Sequence, residues 1–208
     1  MILSQRGLTR LAVVGATLVA VNAAGASATD KHLLPQLGFI SFCKTTMAEL
    51  TARLGPGTDL GDEYTRTHWV IRGWSNAQER VYLRVEAVSA EDAKNRELKG
   101  TPPIVGATLA TAGHAAADQI RVENLSRPRL SLTLLRGPKG IRLGDSKSSV
   151  FRILGAGELQ GRRADIETYN YYDLYPQPRR PGCAVAGFIL QITFTGGKLT
   201  RIYVLEAS

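Results

Sequence analysis

Two short stretches, one in each half of the chain, carry the same pattern of apolar and polar positions. In the first, Met47, Leu50 and Leu54 form a stripe at helical spacing, Thr46 followed three residues later by Glu49 is a capping box, and Gly55-Pro56 stops the helix. In the second, Ser146 is a good N-cap, Val150, Ile153 and Leu154 share one face, and Gly155 can take the left-handed conformation that closes a helix. Leu54-Gly55-Pro56-Gly57 matches Leu154-Gly155-Ala156-Gly157, and each helix is preceded by an apolar segment, Phe39-Ile40-Ser41-Phe42 or Ile141-Arg142-Leu143. Self-similarity of this kind predicts an internal duplication.

The segments around these helices read as strands. Tyr64 to Arg72 and Arg80 to Val88 predict an antiparallel pair that turns at Gly73-Trp74-Ser75-Asn76, which leaves Trp74 partly exposed. Val81, Leu83, Val85 and Ala87 alternate with Tyr82, Arg84 and Glu86, the signature of a half-buried strand. Ala90 to Lys99 predicts a short surface helix capped by Ser89, and the Ala/Gly-rich run Val105 to Ala117 reads as a loop. Gln119 to Leu125 and Arg129 to Leu135 predict a second strand pair. Beyond the second helix, Asp165 to Tyr175, Cys183 to Phe194 and Lys198 to Leu205 predict a three-strand meander whose last turn is Gly196-Gly197. Each helix needs a sheet to bury its apolar stripe. The expected fold is therefore α+β, two tandem units of a short helix on an antiparallel sheet, spanning 29–137 and 138–208.

Residues 1–28 read as a secretory signal peptide: Arg6 and Arg10 give the positive region, Leu11 to Val21 the apolar core, and Ala26-Ser27-Ala28 the cleavage site. The expected location is periplasmic or secreted. The whole chain carries 26 Lys plus Arg against 18 Asp plus Glu, a net +8. Removing the two leader arginines leaves a moderately basic product. Export turns that charge towards lipid headgroups, acidic glycans or an acidic protein, and away from nucleic acid. Export also makes one bridge between Cys43 and Cys183 chemically allowed, with two buried thiols as the alternative. Neither cysteine has a His or Cys partner at zinc-ligand spacing, and no metal or cofactor is expected.

Catalytic patterns are missing from the sequence. His32, His68 and His114 stand in no Ser-His or Cys-His context, and there is no nucleophile elbow, phosphate-cradling loop or His-Glu-x-x-His motif. Asp165, Glu167 and Asp173 alternate along a strand, which reads as a solvated face, with a glycan cleft of paired carboxylates as the alternative. Recognition chemistry is better represented. Tyr169, Tyr171, Tyr172 and Tyr175, followed by Arg179 and Arg180 in a loop stiffened by three prolines, place aromatic and guanidinium groups together, the types enriched at binding hot spots. Trp74 is a further candidate contact.

The order Leu143-Gly144-Asp145-Ser146, Val150, Leu154-Gly155, Tyr169-Asn170-Tyr171 and Phe194-Thr195-Gly196-Gly197-Lys198-Leu199 resembles the SmpA/OmlA-type outer-membrane assembly lipoproteins. The doubled arrangement is similar to the beta-lactamase-inhibitor proteins, which carry two such units in tandem. The chain departs from the former in lacking a lipid-bearing cysteine behind its leader, and from the latter in lacking a cysteine pair in each unit. What the resemblance implies is an exported, non-enzymatic, inhibitor-like module whose sheet or loops dock on another exported or envelope protein. The alternatives are an envelope factor that contacts anionic lipid or glycan through basic loops, and a hydrolase.

Overall fold

The computed structural model describes residues 36–61, 68–95, 98, 100–172 and 187–207. The predicted leader, the first part of the predicted Tyr64 strand, the Pro176 loop and Cys183 lie outside them. Two two-residue strands, β1 (Gln36–Leu37) and β2 (Ile40–Ser41), lead into helix α1 (Met47–Leu54). Its capping box forms as the sequence predicts: the Glu49 amide donates to Thr46 Oγ1 at 3.2 Å, and the Thr46 amide donates to Glu49 Oε2 at 2.8 Å. Strands β3 (Thr58–Asp59), β4 (Trp69–Asn76) and β5 (Val81–Val88) follow, then helix α2 (Ala90–Asn95) and strand β6 (Ile104–Thr111). Ser89 Oγ accepts from the Asp92 amide at the start of α2. The second half holds helix α3 (Lys147–Leu154) and strands β7 (Glu158–Arg163), β8 (Ile166–Tyr171), β9 (Gly187–Thr195) and β10 (Lys198–Ala207).

All strands but the first two join one antiparallel sheet in the order β3-β4-β5-β6-β10-β9-β8-β7. Pairing of β6 with β10 closes the join, with Leu109 opposite Ile202 and Ala107 opposite Val204. A row of direct cross-strand partners, Trp74, Leu83, Leu109, Ile202, Ile192 and Tyr169, then runs from β4 to β8. None of the six is more than 6% exposed. Leu50 and Leu54 of α1 and Val150 and Leu154 of α3 belong to the same apolar cluster as this row, so both helices cover the same face. Each large aliphatic side chain withdrawn from water here contributes roughly 1.5–3 kcal/mol. Phe151 of α3 adds an edge-on aromatic triad with Tyr169 and Phe194, at centroid distances of 5.0 and 5.9 Å.

Several local contacts around α1 recur around α3. Thr46 and Ser146, the N-caps, each form an isolated bridge, to Pro103 just ahead of β6 and to Lys198 at the start of β10. The amide of Ile104 donates to Thr45 O at 2.8 Å, and that of Leu199 to Asp145 O at 2.8 Å. Gly55 and Gly155 close the helices at φ 93° and 85°. Their carbonyls accept from aromatic donors on the sheet, Trp74 Nε1 at 3.2 Å and Tyr171 Oη at 3.1 Å. Gly57 and Gly157 lie so close to those rings that a Cβ would sit 2.6 Å from Trp74 and 2.7 Å from Tyr171.

Several expectations are corrected. Gly73 to Asn76 continue β4, the turn falls at residues 77–80, and Trp74 is fully buried under the end of α1. Val105 to Thr111 is a central strand, not a loop. Gln119 to Leu125 and Arg129 to Leu135 form no strands and instead hold 3₁₀ turns at Val122–Asn124 and Leu132–Leu134. The C-terminal meander has a fourth strand, β7, at the sheet edge with every residue exposed. Ile153 is 37% exposed, so Val150 and Leu154 carry the α3 interface.

The contacts at the helix ends predict a graded glycine series. Gly57→Ala and Gly157→Ala should each lower unfolding free energy by about 1–3 kcal/mol, because the methyl displaces an aromatic ring. Gly161→Ala in β7, which meets nothing within 4 Å, should be neutral or slightly stabilising in the same denaturant titration.

Candidate functional site

Neither α1 nor α3 lies on the second face of the sheet, and its chemistry differs from the first. The row Gly73, Arg84, Thr108, Tyr203, Gln191 and Asn170 crosses from β4 to β8 one residue out of step with the apolar row. Strand alternation dictates this, since successive side chains point to opposite faces. The small residues Gly106, Thr108 and Ala110 of β6 form the floor, and larger polar groups of β5 and β10 stand over it. Glu86 Oε2 would be 3.3 Å from a Cβ on Gly106, and Arg84 pairs with Glu86 at 3.0 Å.

A chain of hydrogen bonds fixes these groups. Tyr82 donates to Asp118 Oδ2, and the other oxygen of Asp118 accepts from Arg201 Nη2 at 2.9 Å. Arg201 Nη1 donates to Gln191 Oε1 at 3.1 Å, Gln191 Nε2 to Asn170 Oδ1 at 3.1 Å, and Asn170 Nδ2 to Tyr172 Oη at 2.7 Å. The Arg201 guanidinium also lies 4.8 Å from the Tyr203 ring centroid. The chain thus runs from a buried tyrosine to one that is 45% exposed. Such a network holds donors and acceptors in fixed directions. Burial, followed by the bond to Asp118, pushes the Tyr82 hydroxyl well above its usual value, and burial raises Tyr203.

Residues 112–125 fold over one part of this face and bring Asp118 to it. Ala115 and Ile120 pack on Tyr82 and Ala110 in a second, smaller apolar cluster. Beside it is an open cavity of about 430 Å³ lined by Leu60, Ile71, Arg84, Asp118 and Ile120. His114 Nε2 lies 2.8 Å from Thr200 Oγ1, and Thr200 also donates to the Thr193 carbonyl at 3.2 Å. Burial, then the neighbouring Arg201 charge, holds His114 below the ordinary histidine value. Two buried polar atoms, Thr108 Oγ1 and Arg201 Nε, have no hydrogen-bond partner. The face therefore presents fixed amides, guanidinium groups and tyrosines. Among the described residues no group of three His, Cys, Asp or Glu is placed to hold a metal ion.

The candidate contact residues divide into three sets. Tyr169 and Tyr171 are each 6% exposed and point to the helix-covered face, as does the fully buried Trp74. They support helix ends and are not surface contacts of this structure. Tyr172, one residue further along, reaches the second face. Tyr175, Arg179 and Arg180 lie outside the described residues. Cys43 is disulfide-bonded, and Cys183 also lies outside them. Arg84, Arg201, Gln191 and Tyr203 were not singled out from the sequence, although the alternation of β5, β9 and β10 places them opposite the apolar set. Asp118 gave no such signal. No family model, curated protein or solved structure matches the chain.

The depressed histidine gives a pH prediction. His114 is lowered from 6.5, so the fold favours its neutral ring. Its contribution is complete above that value and is lost as pH falls through the lowered one. Between about pH 7 and about pH 5 the wild-type denaturation midpoint should fall more steeply than that of His114→Gln. Parallel curves would contradict this placement of His114.

Proposed function

We propose that the protein is an exported, non-enzymatic interaction module of two tandem helix-plus-sheet units, inhibitor-like in design, that docks on another exported or envelope protein. The hydrogen-bonded chain from Tyr82 to Tyr172 carries this reading. Groups whose directions are already fixed lose little conformational freedom on docking, and arginine and tyrosine suit them to a desolvated contact. The Tyr175, Arg179 and Arg180 segment follows Tyr172 directly in sequence and would extend the same contact.

The tandem reading is supported by the paired details of the two halves: equivalent caps, equivalent bridges to β6 and β10, and an aromatic donor on each closing glycine. Duplication followed by edge-to-edge joining of the last strands accounts for the symmetric strand order. A disulfide at Cys43 and the leader-like first residues support export, where disulfides persist. The resemblance to assembly lipoproteins and tandem inhibitors supports the same class of function.

Immobilised protein should capture a defined partner from an envelope extract of the native host. Arg84→Ala with Tyr172→Ala, and separately the alanine triple variant at Tyr175, Arg179 and Arg180, should each lower capture about tenfold or more, with thermal melts unchanged. Capture should survive moderate salt, since exposed charges alone are screened over roughly 8 Å at physiological ionic strength. Undiminished capture by both variants would overturn the proposed contact.

A further inference from the structure

The connector between the two halves is locally basic. Residues 126–142 contain Arg127, Arg129, Arg136, Lys139 and Arg142 and no acidic residue. The same segment exposes two large apolar side chains, Leu130 at 45% and Leu134 at 66%, the latter the most exposed large hydrophobic among the described residues. Leucine turned to water is ordinary when isolated; two within five residues, in a stretch rich in arginine, make a patch.

The patch is held rigidly. Leu132, between the two exposed positions, and Leu135, directly after the second, are buried in the core. Glu79 accepts from Ser131 Oγ, from the Leu132 amide at 3.1 Å and from the Thr133 amide at 3.3 Å. That carboxylate is engaged beneath the connector, and Asp145 lies 3.9 Å from Arg142. The Arg129 amide donates to Leu54 O at 3.0 Å, tying the segment to the end of α1. Arg127 is exposed and Arg136 half-buried, and neither pairs with an acidic side chain among the described residues.

We infer that this connector is a docking surface for an anionic phospholipid bilayer, with Leu130 and Leu134 entering the interface and Arg127 and Arg136 meeting lipid phosphates. Charge and apolarity select this occupant together. Each basic residue near an anionic bilayer strengthens binding about fivefold, and inserted aliphatic carbons add to it. A protein partner fits less well, because leucine is under-represented among the residues that dominate protein interfaces and the segment contains no aromatic residue. This contact is peripheral: among the described residues no helix is long and apolar enough to cross a membrane. The patch is distinct from the polar sheet face, so the bilayer contact stands or falls independently of the protein-docking reading.

The test uses the full chain with vesicles of phosphatidylglycerol mixed into phosphatidylcholine, and of phosphatidylcholine alone. Leu134→Trp reports insertion directly, by blue-shifted emission and by quenching from brominated lipid, while Leu159→Trp in β7 serves as an exposed control. The expected result is quenching at position 134 and not at 159, only with the anionic vesicles. Leu130→Ser with Leu134→Ser, and separately Arg127→Gln with Arg136→Gln, should each lower vesicle partition about tenfold, with unchanged melting curves. Partition without quenching at 134, equal partition to neutral vesicles, or partition indifferent to both double variants would overturn the inference. Capture of an acidic protein by this patch in place of vesicles would overturn it as well.

Discussion

The antiparallel pairing of β6 with β10 is the contact on which the rest of the architecture rests. Each half brings a helix and a meander that ends in one of these strands, and their pairing turns two partial sheets into a single sheet of eight strands. It places Leu109 against Ile202 at the centre of the apolar row, so the core runs unbroken from one half to the other. Both helices then lie on one side. The opposite side is left for polar groups, and the network from Tyr82 to Tyr172 crosses this same seam through Arg201.

The local grammar of the helices was legible because it is short-range. A capping box and a closing glycine act within a few residues, and Thr46, Glu49, Ser146 and Gly155 behave as their spacing indicates. β6 was obscured by its own position. A strand buried on both faces shows no alternation of apolar and polar residues, and the small Gly106, Thr108 and Ala110 that let neighbours close over it resemble a flexible linker. β7 was obscured for the opposite reason: an exposed edge strand has no apolar face to read. In the connector the apolar spacing of Leu132 and Leu135 is that of two anchors under a 3₁₀ turn, which a strand pattern imitates over a short span.

The candidate surface was legible in part. Alternation along β5 assigned Arg84 and Glu86 to the polar side, but the residue that organises that side, Asp118, arrives from a turn far away in sequence. Tyrosine spacing also misled. Tyr169 and Tyr171 face the helices, and Tyr171 has a specific structural task, donating to the carbonyl that ends α3. Trp74 performs the same task for α1. The aromatic residues with the clearest sequence signal are thus the ones that hold the scaffold, and the functional reading shifts to their neighbours on the opposite face.

If the seam makes the halves one cooperative body, native-state hydrogen exchange should show it. The slowest amides of β5 and β9, which lie in different halves, should open with the same free energy, equal to that of global unfolding. A β9 group that opens at distinctly lower free energy than β5, with the first half still protected, would contradict the account and leave two units that merely touch.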